Sequence, residues 1–183
     1  MADAFKGIIV TVLLVFAFAV YPAYRQAEQA ESNIRQQATA AAVEFVDRIR
    51  SKGYVDPSDY HLLTSALDST GLLYQVQMEY YKKVLEPIYT DPNNFSTFQG
   101  SFSVRYDGYF TAEILNALYP AGNPPVPEDA ASRRFRMRAG DMFTLRLTSK
   151  ETTMAGRMKS LIFREQSAPI AIKYGGMVRS EAP

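Results

Sequence analysis

Residues 7–21 read GIIVTVLLVFAFAVY, and residues 22–53 continue PAYRQAEQAESNIRQQATAAAVEFVDRIRSKG. The first string carries no charge, and the Thr11 hydroxyl can return its hydrogen bond to the turn before it. In hydrocarbon a chain must satisfy its own backbone polar groups, so such a run has to be helical there. Its length falls at the short end of the roughly 17–25 residues that cross a bilayer. Lys6 on one side and Tyr21, Tyr24 and Arg25 on the other supply a snorkelling cation and interfacial rings. Residues 1–24 are therefore expected to form a transmembrane anchor.

The second string keeps the helical period. Ala23, Ala27, Ala30, Ile34, Ala38, Ala41, Phe45 and Ile49 follow one another in steps of three and four, which holds them on one face. Gln26, Glu28, Gln29, Arg35, Gln36, Glu44, Asp47 and Arg48 fill the opposite face. Residues 25–53 read as an amphipathic continuation of the anchor, with Gly53 as the left-handed cap. Pro22 removes one backbone bond and should bend the helix rather than stop it. The competing reading is a cleaved secretory signal with its core at Ile8–Val20 and a small-x-small cut at Ala17-Phe18-Ala19. Lys6 is its only amino-terminal cation, partly cancelled by Asp3, and the helical pattern resumes directly after the cut, so the retained anchor is favoured.

At 183 residues, the chain beyond its first helix suits one modest domain. A net charge of +1 argues against a general nucleic-acid binder. There is no cysteine, hence neither a disulfide framework nor a thiolate metal site.

Within 54–183, Asp56-Pro57-Ser58-Asp59 has the chemistry of a helix start, Tyr60, Leu63 and Leu67 repeat at helical spacing, and Gly71 closes the element. Asp59 and Asp68 read as capping and surface residues, and His61, the single histidine, as a surface or packing residue. Tyr74, Val76, Met78 and Tyr80 alternate with polar residues as in a half-buried strand. Pro87, Pro92 and Asn93-Asn94 mark Lys82 to Gly100 as a loop, part of an irregular excursion near 82–138. Phe102, Val104 and Tyr106 predict a strand ending in an Asp107-Gly108 turn, then a helix over Thr111–Tyr119 and a proline-rich connection from Pro120 to Pro127. Further strands are expected at Met142–Leu147 and Ala168–Tyr174, the last broken by Gly175-Gly176. A helix at Glu151–Phe163 is expected to use Met154 and Met158 as core filler. The fold class is α+β, a small mainly antiparallel sheet with covering helices, on which the carboxyl half of the first helix is placed to pack.

Arg133, Arg134, Arg136 and Arg138 form the densest charge cluster. On an extended strand Arg134, Arg136 and Arg138 would share a side, suiting an anionic partner such as lipid phosphate. The competing reading, a charged edge that resists aggregation, is the favoured one. No phosphate loop, nucleophile elbow, HExxH or dinucleotide fingerprint is present. No catalytic residue, cofactor, metal or small-molecule substrate is indicated, and the chain is read as non-enzymatic.

The Lys6-Gly7 pair, ahead of an apolar helix that runs into an amphipathic one, resembles type IV pilins and pseudopilins. Val43 to Arg50 leading to Gly53 and Asp56-Pro57-Ser58-Asp59-Tyr60, then Asp68-Ser69-Thr70-Gly71, Gly140 to Leu145 and Lys173 to Val178, are similar to the TadE-like pseudopilins of tight-adherence pili. The first eighty and last forty-five residues carry the resemblance; Lys82 to Arg138 has no counterpart. It implies processing after Gly7, a domain outside the cytoplasm, and partners among other pilin-like or secretion-apparatus subunits. Filament-forming pilins carry a Glu five residues beyond the cut; here that position is Val12, which implies a minor subunit or none processed. Lateral packing is expected through Gly7, Ala17, Ala19 and Ala23, continuing along Ala27, Ala30 and Ile34, because small side chains let helices approach closely in lipid. The alternative function is a secreted or tethered binding module that the first helix merely delivers.

Overall fold

The computed structural model describes residues 2–121, 126–128, 130–164 and 168–180. Helix α1 (Ala2–Val15), a π-helical turn at Phe16–Val20 and helix α2 (Tyr21–Lys52) follow without a break. The π turn has a local cause. Pro22 cannot donate to the Phe18 carbonyl and its ring crowds that group, so the turn before it widens and the Tyr21 amide donates to Phe16 O. Thr11 donates to Gly7 O at 2.9 Å, as its position suggested. At the far end Gly53 adopts φ 76° and donates to Ile49 O at 2.8 Å, a left-handed cap that a side chain would strain.

After the short strand β1 (Tyr54–Val55), Asp56 caps α3 (Pro57–Asp68) by accepting from the Asp59 amide at 2.9 Å. Strand β2 (Tyr74–Tyr89) is twice the expected length, and β3 (Phe98–Phe110) returns beside it. Helix α4 (Thr111–Leu118), the short strand β4 (Phe135–Arg136), β5 (Met142–Ser149), helix α5 (Met154–Phe163) and β6 (Ala171–Met177) complete the chain. Among the described residues β3, β2, β5 and β6 form one antiparallel sheet in that order, and β1 pairs with β4. The class is α+β.

Three turn readings give way to strand. Lys82–Tyr89 extends β2 rather than forming a loop; Pro87 is tolerated because, among the described residues, β2 has only β3 beside it beyond Tyr81, and the register shifts between Pro87 and Tyr89. Asp107-Gly108 pairs with Lys82 and Tyr81 inside β3 instead of turning the chain. Gly175-Gly176 lies within β6. At Gly175 the missing side chain is a packing requirement, since a Cβ would sit 2.7 Å from Phe143 O; at Gly176 a Cβ would meet only the movable end of the Arg50 side chain. Gly122, Pro124 and Pro125 of the proline-rich connection lie outside the described residues.

The carboxyl half of α2 lies across β5 and β6. Ala38, Ala42, Phe45, Val46 and Ile49 are buried in one cluster with Met78, Tyr80, Phe143, Leu145 and Leu147. The Phe45 and Phe143 rings are 6.3 Å apart. Arg50 Nε donates to Met177 O, and Arg179 N to Arg50 O, both at 2.8 Å, which ties the helix end to the β6 end. The two ladders β2–β3 and β2–β5 coincide only over Glu79–Tyr81. Lys82–Tyr89 with its β3 partners is thus a two-stranded arm that leaves the sheet where α2 ends.

Candidate functional site

Every described side chain of α1 is exposed, and so are Phe16, Ala17, Phe18 and Ala19, with Phe18 79 % exposed. Among the described residues one helix, Asp3–Lys52, is long and apolar enough to cross a membrane, and nothing in its most apolar stretch is buried. Gly7, Ala17, Ala19, Ala23 and Ala30 face outward, and a Cβ at Gly7 would meet open space. Ala27 and Ile34 are half-buried. The small-residue stripe is thus free of this chain's own domain along most of its length.

Helix α5 sets the boundary between the bare and packed parts of the long helix. Thr153 accepts from the Gly156 amide at 3.1 Å as the cap, and its hydroxyl also donates to Glu31. Lys159 pairs with Glu28 at 3.6 Å. Helix α5 therefore runs antiparallel to α2, back toward the apolar run. Ala155 and Gly156 are buried at the close contact. Met154 and Leu161 point outward, Leu161 82 % exposed, and Met158 is half-buried. The methionines therefore do not fill the core as expected: alanine and glycine take the buried positions of α5, with Met158 only half-buried. Leu161, two residues beyond Lys159, lies further toward the apolar run.

The other end of α2 carries charges that sequence patterning placed at the surface. Asp59 is only 2 % exposed; it accepts from Lys52 Nζ at 2.7 Å, with Arg48 at 3.8 Å. Lys52 also reaches Asp56 at 2.9 Å. Burial pushes the Asp59 carboxyl up against the pull of Lys52. Burial also opposes the charge on Asp56, but the Ser58 hydroxyl, Lys52 and the Asp59 amide outweigh it and hold that carboxyl well below its ordinary range. The cluster locks the helix end to the start of α3. His61 and Asp68 are exposed.

A second buried carboxylate, Asp141, was invisible in the sequence. It accepts from Tyr80 Oη, from the Lys83 amide at 2.9 Å and from the Arg138 amide at 3.2 Å. It stops the β2–β5 ladder at the root of the arm, replacing a strand partner with a carboxylate. Burial, then the bond to Asp141, raise the Tyr80 phenol above its ordinary value. The only sequence signal was Gly140, with φ 90°, just before it.

The arginines are divided. Arg133 is buried and structural, with Nε donating to Leu118 O at 2.7 Å and Nη1 to Val126 O at 3.1 Å. Because β4 is only two residues long, no extended strand aligns the other three. Arg134 lies over the Tyr54 ring at 5.0 Å and lines a depression with Asp56, Ser58 and Glu128. Arg136 and Arg138, both exposed, rim a different one with Lys82 above Tyr80, Tyr109 and Phe135. That second depression brings three cations together and suits an anionic group. Comparison with known proteins returns no matching family model, no matching curated protein and no matching solved structure.

Proposed function

We propose that the chain is a single-pass, pilin-like structural subunit of a bacterial pilus or secretion apparatus, held in the membrane by its first helix with the folded domain outside the cytoplasm. The observation that carries this reading is continuity. A fully exposed apolar helix passes without a loop into the helix on which the domain's core is built. Anchor and domain are therefore one rod, and a neighbour that grips the apolar part positions the domain. The outward-facing Gly7, Ala17, Ala19 and Ala23 support lateral packing, since lipid removes the hydrophobic incentive and close backbone contact must supply the attraction. Val12 leaves no carboxylate to pair with a neighbour's amino terminus, which favours a minor, non-polymerising subunit. Leu161, exposed near the end of α5 that points toward the apolar run, offers an apolar contact to membrane lipid.

Intact-mass measurement of the native protein from fractionated cells tests this. Residues 8–21 should be present in the membrane-bound form, with mass lost, if at all, only through Gly7. Recovery of a soluble form cut after Ala19 would overturn it in favour of a secreted binding module.

A further inference from the structure

We propose that the outer edge of β3 pairs antiparallel with β3 of a second copy of this chain, centred on Tyr106, so that two domains share one continuous sheet. This rests on the domain alone and not on the membrane reading.

Strand β3 is thirteen residues long and, among the described residues, has β2 on one side and no strand on the other. The backbone alternation identifies its free groups. The Met78 amide donates to Thr111 Oγ1 on the β3 side of β2, and the Lys83 amide to Asp141 on the β5 side. Even-numbered residues of β2 thus bond toward β3, through Tyr109, Asp107, Arg105 and Ser103. The amides and carbonyls of Phe102, Val104, Tyr106 and Gly108 are left pointing outward. Edge strands that must stay single are commonly blunted by lysine or proline; β3 has neither. Instead Phe102, Val104, Tyr106 and Phe110 are all exposed on one face.

Charge selects one register. Arg105 and Asp107 are the only charged residues of β3. Pairing about Tyr106 sets each Arg105 opposite Asp107 of the second copy, twice, in the closer non-hydrogen-bonded positions. It also sets Tyr106 against Tyr106, Val104 against Gly108 and Phe102 against Phe110. A shift of the centre by one residue brings Arg105 onto Arg105 or Asp107 onto Asp107. A shift by two leaves both charges without an opposite. Within one chain Arg105 Nε donates to Asp107 at 3.0 Å and the guanidinium also pairs with Glu86, so its five-donor fork already sits in an acidic setting that a second Asp107 extends. Lipid does not fit as the occupant: the arm departs beside Met142 and Met177, at the end of α2 farthest from the apolar run.

The chain has no cysteine, so single thiols report the register directly. Full-length Tyr106→Cys in detergent should give a disulfide-linked dimer on mild oxidation, because facing Cα atoms would lie about 5.5 Å apart. Val104→Cys should not link, since its counterpart would lie about 13 Å along the strand. Adding Arg105→Asp to Tyr106→Cys should slow linking about tenfold, and adding Asp107→Arg as well should restore it. A Tyr106→Cys chain that remains monomeric, links only to other proteins, or links no faster than Val104→Cys overturns the proposal. None of these results depends on whether residues 8–21 sit in a membrane.

Discussion

The two ends of the long helix make opposite use of hydrophobicity. Residues 7–21 are almost wholly apolar and exposed except for a half-buried Val20, whereas residues 38–49, two-thirds of them polar or alanine, supply the helix's buried contacts. Burial within one chain therefore does not follow hydropathy. It follows where a complementary surface exists, and the sheet offers a groove wide enough for Ala38 and Ala42 with one aromatic, Phe45, seated against Phe143. On the proposed reading, the complement of the bare end is lipid or a neighbouring subunit.

Substitutions matched across the two ends would break this contrast if it were mistaken. Phe45→Ala should cost the domain about 3–5 kcal/mol by emptying a buried site. Phe18→Ala, at a position 79 % exposed, should leave the unfolding transition unchanged. Chemical denaturation of both variants reads the difference. Next in size, Ala42→Leu should overpack the contact with the sheet and cost about 1–3 kcal/mol, while Ala19→Leu should be neutral to domain stability. Smallest is a pH effect that sharpens the account of the arm's root. The Tyr80 phenol is raised by burial and by Asp141, so its contribution is complete below the ordinary tyrosine range and is lost as pH rises beyond it. Above about pH 10, stability should fall by about 1.4 kcal/mol per pH unit from this group, and Tyr80→Phe should remove that slope.

Much of the framework could be read from residue order because its causes are local. Gly53, the Asp56-Pro57 start and the Met142–Leu147 alternation each announce themselves within a few positions. What could not be read has causes distant in the chain. Asp59 looks like a first-turn surface carboxylate until α2 brings Lys52 to it, and Asp141 looks like a turn residue until Tyr80 and Lys83 arrive from another strand. Gly108, Gly175 and Gly176 look like punctuation, yet all three lie within strands, and Gly175 is glycine because the Phe143–Thr144 backbone presses on it. Pro87 suggested a loop because nothing nearby in sequence tells that β2 has lost one partner by that point. The side-by-side placement expected of Arg134, Arg136 and Arg138 is absent for the same reason, since it needs a strand longer than the pairing with β1 allows.

The widened turn ahead of Pro22 also has a mechanical meaning. Beyond it α2 extends 32 residues, a lever of about 48 Å. Ten degrees of bend at that pivot sweeps the far tip through about 8 Å, so a slight change in how the greasy stem is gripped becomes a large swing of whatever the arm carries.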